Sequence, residues 1–184
     1  MRMRIPATLF ALSLVTLAAC GGETPDAKTP ASEKSSGEGG GSGNGVKEGD
    51  KAPSFSLDSM NNAGKLSVEP GKVTIVDFWA TWCEPCKKSF PKYQELYVKY
   101  KASGLEIVAI TVDDEKNGNP DFAKTHGAKF PVGWDDGKKI ADKWKPENMP
   151  SAYIVDKTGV VRHVHKGYHD GEEAEIEKEI KALF

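Results

Sequence analysis

Two cysteines three residues apart, Cys83 and Cys86, follow closely on residues 73–79, a run that is apolar except for Thr74 and Asp77. A dense apolar run of this length reads as a buried central strand. Beyond it, Phe90, Tyr93, Leu96, Tyr97 and Tyr100 recur at helical spacing, predicting a helix over residues 82–103 that Gly104 ends. The cysteine pair therefore sits where a buried strand passes into a helix. Free backbone N–H groups and the positive end of the helix dipole favour a thiolate at Cys83. Two intervening residues on the first turn bring the sulfurs within bonding reach, so a mixed disulfide on Cys83 can be resolved by Cys86. Pro85 suits that turn, where its missing N–H would have no helical partner.

The pair has competing readings. A zinc site needs two further ligands, and His126, His163, His165 and His169 lie far away in sequence. As a structural staple, so small a loop removes little unfolded-state entropy. With only three cysteines in 184 residues, a disulfide scaffold or a four-cysteine metal site is out of reach. Redox exchange is the chemistry that strand, helix start and spacing favour together. No bound cofactor or metal is expected.

After the pair, residues 105–112 read as a second buried strand. Short helices over 119–126 and 137–144 flank a brief strand at 130–132. Residues 151–156 and 160–165 form a strand–turn–strand about Lys157-Thr158-Gly159, and residues 172–184 are a last helix with Ile176, Ile180 and Leu183 on one face. Ahead of the central strand, Phe55-Ser56-Leu57 and residues 66–68 enclose Asn61-Asn62-Ala63-Gly64, a hairpin signal. The order predicts an α/β fold, a central mixed sheet with helices on both faces and an N-terminal β-hairpin extension.

The third cysteine, Cys20, belongs to a different segment. Arg2 and Arg4 precede an apolar stretch at 9–17 that is too short for a comfortable bilayer span, and Leu17-Ala18-Ala19 closes it with small residues. Small residues before Cys20, with Gly21-Gly22 after it, resemble the bacterial lipobox, making Cys20 the lipidated first residue of a mature chain. Residues 1–19 read as a signal peptide and 20–48 as the lipidated cysteine with a flexible linker. This linker is poor in large apolar residues and spans roughly 25–30 Å as a coil. Residues 49–184 form the folded domain. Export to the cell envelope places the pair in an oxidising compartment. A formal charge of −2 gives no basic face for nucleic acid.

The residues 76–88, Val-Asp-Phe-Trp-Ala-Thr-Trp-Cys-Glu-Pro-Cys-Lys-Lys, resemble the thioredoxin superfamily, and in particular its membrane-anchored TlpA/ResA-like branch. Pro91 falls where that family kinks its active-site helix. Met149-Pro150 resembles the family's cis-proline loop. The resemblance implies a thioredoxin-like fold and a thiol–disulfide oxidoreductase. Met149 and Pro150 would present backbone to the substrate peptide, and Trp82 would shape the docking surface. It also implies oxidised envelope proteins as substrates, apocytochrome c among them, and a membrane thiol-reducing system as electron donor.

Two positions depart from the pattern. Many relatives carry an acid three residues after the second cysteine, where this chain has Ser89. Asp77, six residues before Cys83, occupies the buried acid position of ordinary thioredoxins. A carboxyl in an apolar strand has a raised pKa and is suited to exchange a proton with Cys86. Glu84 favours the helix dipole yet repels a thiolate at Cys83, which makes the pair more reducing. Among rivals, thioredoxin-like metallochaperones space their cysteines by three residues, and a peroxidase needs Thr-x-x-Cys, whereas Thr81 and Cys83 are two apart. A non-catalytic binding module would survive loss of Cys83. His163, His165 and His169 read as exposed hairpin residues.

Overall fold

The computed structural model describes residues 45–184. The expected signal peptide, Cys20 and the linker up to residue 44 lie outside the described residues. The apolar run forms β3 (Val73–Trp79), buried at all seven positions. Ahead of it, β1 (Leu57–Asp58) and β2 (Lys65–Leu66) pair antiparallel as the expected hairpin. After it come α1 (Glu84–Tyr100), β4 (Leu105–Thr111), α2 (Asn119–Thr125), β5 (Val132–Trp134) and α3 (Ala141–Trp144). The chain closes with β6 (Ser151–Val155), β7 (Val161–Lys166) and α4 (Glu172–Ala182). Strand order in the main sheet is β5-β4-β3-β6-β7. β3 runs parallel to β4 and antiparallel to β6, giving the mixed sheet read from the sequence.

The parallel β3–β4 pair requires a long crossover, which α1 supplies. Gly104, at φ 99°, makes the left-handed reversal that returns the chain to the sheet. Side chains alternate along β3, so Asp77 and Trp79 point to one face and Phe78 to the other. Trp79 packs edge-on against Phe90 of α1 at 4.8 Å, which puts Asp77 on the α1 side. Phe78 meets Trp144 of α3 on the opposite side, at 5.8 Å. α4 lies beside α1, joined to it by Lys99 and Glu177 at 2.7 Å.

Two elements differ from the sequence reading. The predicted helix over 137–144 is a 3₁₀ turn at Asp136–Lys138 followed by a single turn of α-helix. Gly137, at φ 70°, interrupts it, and the Asp135 carboxylate restarts it by accepting the N–H groups of Ile140 and Ala141. The short strand forms at Val132–Trp134, two residues later than expected, because Phe130 turns inward as a fully buried core residue. Among the described residues no helix is long and apolar enough to cross a membrane.

The hairpin packs onto β5 at Gly133, where a Cβ would stand 2.9 Å from Leu57 Cγ and 3.2 Å from Leu66 Cδ2. Gly133→Ala is expected to cost about 1–3 kcal/mol by overpacking. The cost should shrink in a Leu57→Ala background, as denaturant unfolding of the four-member cycle would measure.

Candidate active site

Cys83 caps α1: its Sγ accepts the Cys86 backbone N–H at 3.2 Å, and Pro85 stands in the first turn. The two cysteines are joined as a disulfide, with Cα atoms 5.3 Å apart. The sulfur chemistry thus sits at the positive end of a 17-residue helix. Both cysteines are nearly covered: Cys83 is 3 % accessible and Cys86 fully buried. The Ala80–Cys83 turn folds back on itself through the Cys83 N–H to Ala80 C=O bond, and of the two sulfur-bearing residues only Cys83 keeps any accessible surface.

A residue that sequence reasoning missed fixes this turn. Asp113, just past β4, accepts hydrogen bonds from the Thr81 N–H at 3.0 Å, the Thr81 hydroxyl at 3.2 Å and the Thr111 hydroxyl at 2.9 Å. Its own carbonyl accepts the Trp134 indole N–H at 2.8 Å. Only strand pairing brings Asp113 to Thr81, so no local pattern announces it.

Asp77 is fully buried, and neither carboxylate oxygen has a hydrogen-bond partner. Burial holds its pKa well above the usual carboxylate range. Ser89, at the position where relatives carry an acid, is buried and gives its hydroxyl to the Cys86 carbonyl at 3.3 Å. Asp77 is therefore the one carboxyl on the sheet face beneath the cysteine-bearing end of α1 whose oxygens are unpaired among the described residues.

The Met149–Pro150 peptide bond is cis, as the resemblance implied. The Pro150 carbonyl accepts the Gly167 N–H at 2.8 Å, tying the loop to the end of β7. Trp82 is 68 % exposed and Met149 half-buried. Between them and Ala141 and Pro146 opens a groove of about 440 Å³, with Lys138 and Asp142 at its rim. Trp79, by contrast, is core. Glu84 points to solvent and pairs with Lys87 at 2.6 Å, and that hydrogen bond lowers its pKa. The positive charge of Lys87 opposes the field of Glu84.

The histidines require a correction. His165 is not an exposed hairpin residue: its side chain is 10 % accessible, with Nδ1 2.8 Å from Glu172 and Nε2 2.7 Å from Glu179. Glu179 also meets His163 at 3.2 Å, and Glu172 meets the exposed His169 at 3.3 Å. Docking of α4 on β7 covers His165, a tertiary event that a strand–turn–strand pattern does not reveal. Among the described residues no group of three or more His, Cys, Asp or Glu side chains is arranged to hold a metal ion.

A mixed five-stranded sheet, a cysteine pair at the first strand–helix junction and a cis-proline loop define a thioredoxin-like thiol–disulfide oxidoreductase. The chain belongs to the AhpC/TSA family, whose description matches residues 48–164. Over 123 residues, 66 % of this chain and 69 % of the relative, it is 37 % identical to the thiol-disulfide oxidoreductase ResA of Bacillus subtilis strain 168. The ResA of Geobacillus kaustophilus strain HTA426 is 34 % identical over 139 residues, covering 75 % of this chain and 79 % of its own. A crystal structure from Chlorobium tepidum, assigned as a thiol:disulfide interchange protein DsbE, superposes with a TM-score of 0.70 at 31 % identity, over 75 % of this chain and 98 % of that one.

Burial of Asp77 has a consequence for stability. Its folded-state pKa lies above the unfolded value, so the protein is relatively most stable below the unfolded pKa, about 3.9, and loses that stability as pH rises toward the folded pKa. Asp77→Asn is expected to raise Tm at neutral pH in the oxidised protein. The gain should vanish below about pH 4, as scanning calorimetry across pH would show.

Proposed function

We propose that the protein is an extracytoplasmic reductase of protein disulfides, held to the membrane by lipid at Cys20. Cys83 attacks and Cys86 resolves. The observation that carries this reading is the cysteine pair capping α1 with only Cys83 retaining accessible surface, next in the chain to Trp82, which lines a groove with Met149. In the forward half-reaction the Cys83 thiolate attacks one sulfur of a substrate disulfide, and the other leaves as a thiolate and takes up a proton. Cys86 then gives its proton to Asp77, and its thiolate attacks Cys83 Sγ. The second substrate sulfur is expelled, to be protonated in turn. Two electrons leave the enzyme dithiol, which ends as the Cys83–Cys86 disulfide.

The buried acid supports the reducing direction. An ionised Asp77 in an apolar layer opposes a neighbouring thiolate, and a pair whose thiolate is poorly stabilised is the stronger reductant. Pro85 shapes the first helical turn, and Glu84 adds a weaker field of the same sign, damped by Lys87. Trp82, Met149 and Pro150 line the substrate edge, where an extended segment would pair with the Met149 backbone. Apocytochrome c is the proposed substrate and a membrane thiol-reducing system the proposed donor, by analogy with the ResA and DsbE relatives.

With Cys86→Ser, a stable mixed disulfide between Cys83 and its substrate is expected, identifiable by mass spectrometry of non-reduced complexes. Cys83→Ser should abolish both capture and turnover. Substrate capture by the Cys83→Ser protein, or full turnover without Cys83, would exclude this reading. Asp77→Asn should lower turnover by roughly 10²-fold, the usual worth of a positioned proton acceptor.

A further inference from the structure

Asp77 has neighbours that its own strand does not supply. Cross-strand register sets Ala109, Asp77, Ala152 and His165 in one row across β4, β3, β6 and β7. Residues directly opposite share a face of the sheet, so His165 faces the α1–α4 side with Asp77. Ala152 is the residue between them in that row, and the two Cα atoms stand about 10 Å apart across two strand spacings.

That space is roofed by polar groups. From α1, Tyr93 lies seven residues beyond Cys86, close to two helical turns, on the same inner face. Its hydroxyl is fully buried and, like both oxygens of Asp77, has no hydrogen-bond partner. From α4, Glu172 and Glu179 hold His165 between them. From the loop before α4, Tyr168 packs its ring against Tyr93 at 6.4 Å and gives its hydroxyl to Glu173 at 2.8 Å. Burial, then the charge of Asp77, then those of Glu172 and Tyr168, push the Tyr93 phenol well above its ordinary pKa. The Tyr93 phenol thus responds to the charges of both Asp77 and Glu172.

A donor and two acceptors, buried and left unpaired on one inner face, form a place where a buried water is favoured. We propose that Tyr93 is a positioning residue for the oxidoreductase reaction, its hydroxyl joined to Asp77 through an internal water over Ala152 and leading toward the Glu172–His165 pair. This rests on the proton role of Asp77 proposed above. Donation from the phenol steadies the ionised carboxylate, bringing its titration back toward working pH. The same string ends at His169, whose side chain is 76 % exposed at the β7–α4 edge. While a substrate covers the Cys83 face in the mixed disulfide, that edge gives the Asp77 proton a way out that the substrate does not block.

Tyr93→Phe tests this in the full-length protein, since it keeps the ring and its packing on Tyr168. The Asp77 carboxyl, followed by ¹³C NMR in the oxidised form, is expected to titrate at higher pH than in the parent. Turnover near neutral pH should fall roughly fivefold, the worth of one buried hydrogen bond. A hydroxyl that merely fills space would leave the titration where it was, and that result would overturn the proposal. Glu172→Gln, removing a negative charge at the far end, should lower the Asp77 titration; an unmoved titration there would also overturn it. The NMR titration reads the link itself, whereas turnover of Asp77→Asn reads the proton role, so the two failures are distinguishable.

Discussion

Strand β3 is buried at every position and hydrogen-bonded on both sides, to β4 in parallel and to β6 in antiparallel register. Everything functional hangs from that strand. A chain leaving it at Ala80 must turn at once, because the next strand runs parallel and only a helix on one face can carry the chain back. That turn delivers Cys83 to the start of α1. The antiparallel neighbour β6 begins directly after Pro150, so pairing Phe78 with Ser151 brings the proline loop to the same end of the sheet. Cysteine pair and cis-proline loop meet because two strands share one partner.

The same constraint makes Asp77 costly. A carboxyl at the centre of such a strand is cut off from bulk solvent and, among the described residues, has no hydrogen-bond partner in the protein. Burying a polar group this way is unfavourable. Such a cost persists where the group performs chemistry that a hydrophobic residue could not. The helix position that holds an acid in many relatives is Ser89, turned back onto the Cys86 carbonyl. In the proposed mechanism the proton partner is therefore on the strand beneath the helix that carries the cysteines, and the solvent-facing side of α1 is left to Glu84 and its lysine.

Much of this was legible because it is local. The apolar run, the helical spacing of the aromatics behind Cys86 and the turn at Lys157-Thr158-Gly159 each signal their element within a few residues. The resemblance carried by Trp82 to Cys86 and by Met149-Pro150 anticipated the cysteine pair at the helix start and the cis peptide bond. What escaped depends on residues distant in sequence. Asp113 reaches Thr81 across 32 positions, and only β3–β4 pairing places it there. His165 reads as exposed because α4, which covers it, arrives later in the chain. The near-complete cover of Cys83 likewise follows from how the turn closes, which spacing alone does not specify.

Central to this account is that Asp77 and Cys86 exchange a proton, and two sites that do so must titrate as a coupled pair. The direct measurement is the pH titration of the Asp77 carboxyl by ¹³C NMR in the oxidised and in the reduced protein. With the disulfide intact there is no thiol to couple to, and a single titration is expected. On reduction the Asp77 resonance should shift its midpoint and acquire a second step that coincides with titration of the Cys86 thiol. Superimposable curves in the two redox states would contradict the account.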